Sequence, residues 1–202
     1  MSASPGPSPD PGPLRLAVIV ASNREGRFGP VVADWFSART AERDDFAVDR
    51  VDLAEVDLPT ALSHRPAPAV RAELDKVGPV LAGADAFAVV TPEYNHSFPA
   101  SLKSLIDWHF TEWQAKPVGF VSYGGMSGGL RAVEQLRQVY AEMHAVTVRD
   151  TVSFHGAHGR FDEGGTPKDP TGPDAAATVM LDQLAWWAHA LRDAKSVRPY
   201  AG

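Results

Sequence analysis

Apolar runs rich in branched residues, each followed by a polar loop and a helical pattern, limit most strongly what this chain can fold into. The clearest runs are LRLAVIVA at 14–21, ADAFAVVT at 84–91 and PVGFVSY at 117–123. Parallel strands that helices cover on both faces have such near-continuous apolar sequences. The alternating segment Phe46–Leu53 and the segment Ala145–Val152 are predicted as two further strands.

Helical patterns separate these strands. Five apolar stripes with helical spacing follow one another along the chain, and they begin at or near Pro30, Val70, Pro99, Val133 and Met180. The Gly78-Pro79 pair is predicted to kink or split the second helix. Strands that alternate with helices form a parallel sheet with helices on both faces. We therefore predict an α/β fold with five parallel strands in the order 2-1-3-4-5, whose ligands bind beyond the carboxyl ends of the strands.

Composition excludes several other classes of protein. The chain has 202 residues, a net charge of −6 and no cysteine, which rules out disulfides and thiolate chemistry and argues against nucleic-acid or membrane-surface binding. No apolar run is long enough to cross a bilayer. Residues 1–13 are rich in Pro, Gly and Ser and lack the pattern of a secretory signal, so we predict a disordered tail. We expect residues 14–202 to form one domain of a cytoplasmic protein.

The first loop, SNREGRFG at 22–29, leads from a strand into a helix N-terminus. Free backbone N–H groups and the helix dipole favour an anion there. Ser22 adds a hydroxyl, and Arg24 and Arg27 add charged donors suited to a phosphate monoester. The loop matches neither the GxGxxG nor the GxxxxGK[ST] fingerprint, which disfavours a standard dinucleotide site and a P-loop. The alternative interpretation is a solvated turn.

Two further loops follow buried strands and should meet the first one. TPEYNHSFP at 91–99 is stiffened by its prolines, and its backbone N–H groups suit the polar edge of a flat heterocycle. Glu93 and His96 have no evident partner, so we interpret them as exposed polar residues rather than catalysts. SYGGMSGG at 122–129 offers Tyr123 for stacking and glycines for close backbone approach. Together the loops supply a phosphate end, a ring edge and a stacking wall.

Three segments resemble the NADPH-dependent FMN reductase family, a flavodoxin-like group that includes NAD(P)H:quinone and azo-dye reductases. TPEYNHSFPASLKSLIDW at 91–108 is similar to the family's TPEYN signature, SYGGMSGGLRAVEQLR at 122–137 to its glycine turn, and ASNREGRFG at 21–29 to its phosphate loop. Ala21 stands where glycine is usual. The resemblance covers about Leu14 to Leu191 and implies a flavodoxin-like three-layer sandwich.

The resemblance also implies roles for individual residues. The phosphate of FMN would be bound by Ser22, Arg24, Arg27, Phe28 and Gly29. The isoalloxazine would lie between Pro92, Glu93, Tyr94 and Asn95 on one side and Ser122, Tyr123, Gly124 and Gly125 on the other. The family implies a homodimer or a tetramer. Trp108, Phe110 and Trp113 cluster near the site, and the two tryptophans fit either a dimer surface or the core.

The implied activity is that of an FMN-dependent NAD(P)H oxidoreductase. A hydride would pass from NADPH or NADH through bound FMN to a flavin, quinone, azo or similar acceptor, with no catalytic acid or base and no metal. A flavodoxin-type electron carrier and a non-enzymatic module of the same fold are the alternatives. The long loop 155–173 suits a lid or a dimer contact better than a zinc site at His155 and His158.

Overall fold

The computed structural model describes residues 12–201, so the predicted tail lies outside the described part except for its last two residues, Gly12 and Pro13. Strands and helices alternate along the chain as β1 (Leu14–Val20), α1 (Gly29–Ala41), β2 (Phe46–Asp52), α2 (Pro68–Gly83), β3 (Ala86–Pro92), α3 (Ala100–Trp108), β4 (Pro117–Gly124), α4 (Leu130–Glu142), β5 (Val146–Thr147), β6 (Val152–His155) and α5 (Thr171–Val197). A single 3₁₀ turn, Ala157–Gly159, follows β6.

The sheet is parallel throughout and has the order β2-β1-β3-β4-β5, with β6 also paired to β4. This confirms the predicted order, which is that of flavodoxin-like sheets. The carboxyl ends of β1, β3 and β4 lie side by side, because Val20 pairs with Val90 and Pro92 pairs with Tyr123. The three loops identified in the sequence therefore leave the sheet at one edge.

The fifth position of the sheet differs from the prediction of a continuous strand over Ala145–Val152. Two short strands, β5 and β6, occupy it and both pair with β4. The break arises because side chains bind the backbone between them. Arg137 donates hydrogen bonds to the carbonyl oxygens of Val148 and Arg149, at 2.7 and 2.8 Å. Gln183 on α5 accepts the N–H of Asp150 at 3.1 Å.

The prediction that Gly78-Pro79 kinks or splits the second helix is wrong as to a split, since α2 runs as one helix from Pro68 to Gly83 with Pro79 inside it. Proline removes one backbone hydrogen bond from a helix. Burial of Val77 and Leu81, on either side of Pro79, offsets that loss, because both side chains pack into the core against the sheet.

Two apolar layers cover the sheet. One lies against α1 and α5, and the other against α2, α3 and α4. Trp113 is fully buried in the second layer, which decides between the two roles that the sequence left open for it. Trp108 is partly buried, and its Nε1–H donates to Pro59 O at 2.7 Å. Phe110 is half exposed. Among the described residues, none of the helices is long and apolar enough to cross a membrane.

Candidate functional site

The three loops enclose a cavity of about 370 Å³ at the carboxyl edge of the sheet. We call it the loop cavity. Its size lies within the usual range for small-molecule sites. Nine of the thirteen predicted site residues line it, namely Arg24, Arg27, Phe28, Pro92, Glu93, Tyr94, Tyr123, Gly124 and Gly125. Ser22, Gly29, Asn95 and Ser122 do not.

The first loop supplies the anion-binding features of the cavity. Arg24 is exposed and forms no ion pair with any other residue in the range 12–201. The N–H groups of Glu25, Gly26 and Phe28 have no hydrogen-bond partner there either. Helix α1 begins at Gly29 without a side-chain cap, so its N-terminus faces this loop with unpaired donors. These groups suit the terminal phosphate of a ligand.

Arg27 has a different role from Arg24, although only two residues separate them. Its guanidinium forms a bidentate ion pair with Asp52 at the end of β2 and also donates to Ser22 O at 2.9 Å. Burial opposes the charge of Asp52, but the hydrogen bonds from Arg27 and from the N–H of Ala54 outweigh it, so the pKa of this carboxyl lies below its ordinary value. Arg27 therefore fixes the loop to the sheet, and Arg24 remains available to an anion.

Ser22 and Gly29 are buried behind the cavity and shape it. The hydroxyls of Ser22 and Tyr94 form a hydrogen bond of 2.5 Å, which joins the first loop to the second. A Cβ atom at Gly29 would lie 2.9 Å from the hydroxyl of Tyr123, so the start of α1 can pack against this ring only with glycine there.

The second loop turns sharply after Tyr94. Tyr94 and Ser97 exchange two backbone hydrogen bonds, and the residues between them, Asn95 and His96, have φ angles of 48° and 76°. Asparagine and histidine are among the side chains that most readily adopt this conformation. Both residues are exposed, and Asn95 lies outside the cavity lining.

Glu93 connects the second loop to the third. Its carboxylate accepts the backbone N–H of Arg131 at 3.1 Å and a guanidinium N–H of the same residue at 3.2 Å. Burial opposes its charge, but hydrogen bonds from Ser127 and Arg131 outweigh this and hold its pKa below the ordinary value. The carboxylate thus caps the N-terminus of α4, so the interpretation of Glu93 as an unpartnered surface residue is wrong.

The third loop passes close behind β4. Gly129 has a φ of 88°, and a Cβ atom there would lie 2.7 Å from that of Ser122. Ser122 is buried and donates its hydroxyl to Gly128 O at 2.8 Å, so it supports the turn from behind. Tyr123 lines the cavity but is buried. Its hydroxyl has no partner within the described residues, and burial raises its pKa.

A fourth segment, Gly156–His158, completes the cavity and was not among the predicted site residues. The His158 ring packs on Phe28 with centroids 4.8 Å apart, and His155 donates its Nδ1–H to Met126 O at 2.8 Å. The loop 155–173 was a candidate lid, but its sequence has no motif that marks these residues. Within residues 12–201, no group of three or more His, Cys, Asp or Glu side chains is arranged to hold a metal.

The chain is similar to several known proteins. The family model for NADPH-dependent FMN reductase matches residues 14–159. An NAD(P)H-dependent FMN reductase of Schizosaccharomyces pombe is 36% identical over 132 residues, which are 62% of this chain and 64% of that protein. A probable NADPH:quinone oxidoreductase of Oryza sativa is 39% identical over 185 residues, 86% of this chain and 91% of that protein.

Among solved structures, the flavoenzyme FerB of Paracoccus denitrificans, an NAD(P)H:(acceptor) oxidoreductase, superposes with a TM-score of 0.68 at 19% identity. The superposition covers 88% of this chain and 98% of that one, and it supports the fold. The family match covers well over half of the chain and includes the segments that carry all three predicted loops. This protein therefore belongs to the NADPH-dependent FMN reductase family, as its sequence motifs indicated.

Proposed function

We propose that FMN binds in the loop cavity and that this oxidoreductase uses NAD(P)H to reduce a quinone or a related small acceptor. One observation carries the proposal. Arg24 and the unbonded N–H groups of the first loop lie at one end of the cavity, and three further loops form its other walls. An anion-binding end, next to walls of proline, glycine and aromatic residues, suits a phosphorylated flavin.

The walls of the cavity fit the other parts of FMN. Pro92 and Tyr94 form one wall, and the glycines at 124 and 125 form another. A Cβ atom at Gly125 would meet no other atom within 4 Å, so this backbone borders open space and can approach a ring closely. We assign the phosphate to Arg24 and the first loop, and the isoalloxazine to Pro92, Tyr94, Gly124 and Gly125.

When bound, FMN supplies the electron-transfer chemistry that links the nicotinamide to the acceptor. The chain's own residues position it. Ser22 and Tyr94 hold two of the loops together, and Arg27 and Asp52 hold the first loop on the sheet. Glu93 is occupied by Arg131 and Ser127, so we assign it no proton transfer. Backbone N–H groups at the glycine turn are suited to stabilise negative charge on the ring.

The acceptor class, the assembly and the cellular location are proposals that rest on the relatives and the sequence. The rice relative is named a quinone oxidoreductase and the fission-yeast relative an FMN reductase, which supports quinones and free flavins as acceptors. We also propose a homodimer in the cytoplasm, a location with which the absence of cysteine agrees.

The decisive experiment is an anaerobic absorbance spectrum of the purified protein after addition of FMN and desalting, followed by one equivalent of NADPH or NADH. We expect retained flavin absorbance that bleaches with the nicotinamide and returns when a quinone is added. Retained flavin that bleaches with neither nicotinamide would favour an electron carrier. Protein that retains no flavin, and does not accelerate flavin reduction at catalytic concentration, would favour a non-enzymatic module.

A further inference from the structure

A second cavity, of about 490 Å³, lies on the other side of the segment that closes the loop cavity. We call it the edge-strand cavity, because all four residues of β6 line it. The two cavities share the segment 155–160 as a wall. Gly156, Ala157 and His158 line the loop cavity, whereas His155, Gly159 and Arg160 line the edge-strand cavity. A ligand long enough to cross this wall would reach both.

One side of the edge-strand cavity is the unpaired edge of β6. Gly156 donates its N–H to Gly125 O, on the β4 side, and the backbone groups of alternate residues point to opposite sides of a strand. Ser153 and His155 therefore present their backbone groups to the free edge. The carbonyl of His155 accepts from Arg160 there at 3.1 Å. No strand within residues 12–201 pairs with this edge, so the N–H and C=O of Ser153 remain available to a planar ligand with donor and acceptor atoms.

Two cations lie on the lining of this cavity. Arg160 uses Nε for the carbonyl of His155, and its two terminal nitrogens have no partner in the described part of the chain. Lys168 donates to Gly159 O at 3.2 Å, which holds its ammonium beside Arg160. Asp169 is the one carboxylate on the lining, and neither cation forms an ion pair with any described residue. The lining thus carries a net positive charge that is accessible to an anion.

We propose that the edge-strand cavity binds the adenosine end of the nicotinamide cofactor, and that Arg160 and Lys168 bind its 2′-phosphate and so favour NADPH over NADH. This inference rests on the proposed function, since the nicotinamide end must reach the loop cavity. The edge of an adenine ring carries the donor and acceptor that match the free N–H and C=O of Ser153. An arginine that accommodates the 2′-phosphate is a general means of selecting NADP over NAD.

The test compares steady-state kinetics with NADPH and NADH for the FMN-loaded protein and for Arg160→Gln, Lys168→Gln and the double variant. Glutamine keeps a hydrogen-bond donor for the loop carbonyls but removes the charge. We expect each single change to lower kcat/KM for NADPH about tenfold, mainly through KM, with less than about a twofold change for NADH. Asp169→Asn removes the opposing charge and should lower KM for NADPH. Arg71 is an exposed arginine on α2, so Arg71→Gln is the matched control. It should change kcat/KM for neither NADPH nor NADH.

A second measurement separates this inference from the proposed function. Calorimetric titration of the FMN-loaded protein with 2′,5′-ADP measures the affinity of the phosphate site whether or not the protein turns over. We expect binding that weakens about tenfold in each single variant, whereas binding of 5′-ADP stays unchanged. Equal losses for NADPH and NADH, or 2′,5′-ADP binding that does not depend on Arg160 and Lys168, would overturn the assignment. A wild-type flavin that no nicotinamide reduces would instead count against the proposed function.

Discussion

Arg24 and Arg27 both lie in the first loop, and both suit a phosphate by charge. Arg27 is held by Asp52, whose side chain is only 8% exposed, whereas Arg24 is exposed and forms no ion pair within the described part of the chain. We therefore expect substitution of Arg24 to weaken ligand binding and substitution of Arg27 to lower stability.

We expect Arg24→Ala to raise the dissociation constant of FMN by about 10- to 100-fold, because a charge-assisted hydrogen bond contributes about 1.5–3 kcal/mol. Its thermal unfolding without FMN should stay close to that of the wild type. Flavin fluorescence quenching gives the affinity, and calorimetry gives the stability. Unchanged FMN affinity in this variant would refute the assignment of the phosphate to Arg24.

Arg27→Ala is the companion variant and should lower the free energy of unfolding by about 1.5–3 kcal/mol, because Asp52 loses the hydrogen bonds from its closest cation. Arg50, whose guanidinium lies 3.7 Å from the Asp52 carboxylate, remains as a more distant cation. A carboxyl whose folded pKa is depressed contributes stability above its ordinary pKa, near 4, and loses it as the pH falls through the folded value. The variant should therefore show a weaker loss of stability below about pH 4 in denaturant titrations. The same acid dependence as the wild type would contradict this role of Arg27.

At the level of single elements, the C-terminus of α2 is capped by a buried lysine from another segment of the chain. Lys116, next to β4, donates to Leu81 O and Ala82 O at 2.8 Å each and so caps the last carbonyls of the helix. Burial lowers the pKa of Lys116 to about 8. This cap ties α2 to the sheet beyond Pro79, which helps to explain why the helix continues through the proline.

The lowered pKa makes a prediction with a definite sign. Between pH 8 and about 10.4 the unfolded chain keeps a proton that folded Lys116 has released, so stability rises with pH in this window. From pH 8 to 10.4 we expect the unfolding free energy of the wild type to rise by up to about 3 kcal/mol relative to that of Lys116→Met. Denaturant titrations at four pH values measure it. A constant difference across the window would show that the ammonium is not desolvated.

At the scale of the whole molecule, a ligand that binds only the folded chain stabilises it in proportion to its affinity. FMN at 100 times its dissociation constant should add about 2.7 kcal/mol. For a chain of this length that raises the melting temperature by about 5–10 °C. Riboflavin, which has the same ring but no phosphate, is the matched control and should give a smaller shift at equal concentration. Equal shifts would mean that the phosphate does not contact the first loop.

Much of this architecture could be predicted from local sequence. The apolar runs of β1, β3 and β4 identify strands that helices cover on both faces, and the alternation with helices predicts the parallel sheet. The exceptions have tertiary causes. Arg137 and Gln183 are distant in sequence from the backbone groups at 148–150 that they bind, and no local pattern shows that they divide the fifth strand. The continuous α2 likewise depends on packing around Val77 and Leu81.

Periodicity predicts the fold class, and contiguous motifs identify the family and three of the loops that form the site; the strand order follows from the usual order of such sheets. The roles of the individual residues in those loops depend on tertiary contacts. Arg27 pairs with Asp52, Glu93 caps α4, Ser122 supports a turn, and Gly156–His158 join the cavity from a loop without a motif. Hydrogen bonds and burial set those roles, and both depend on partners that come together only when the chain folds.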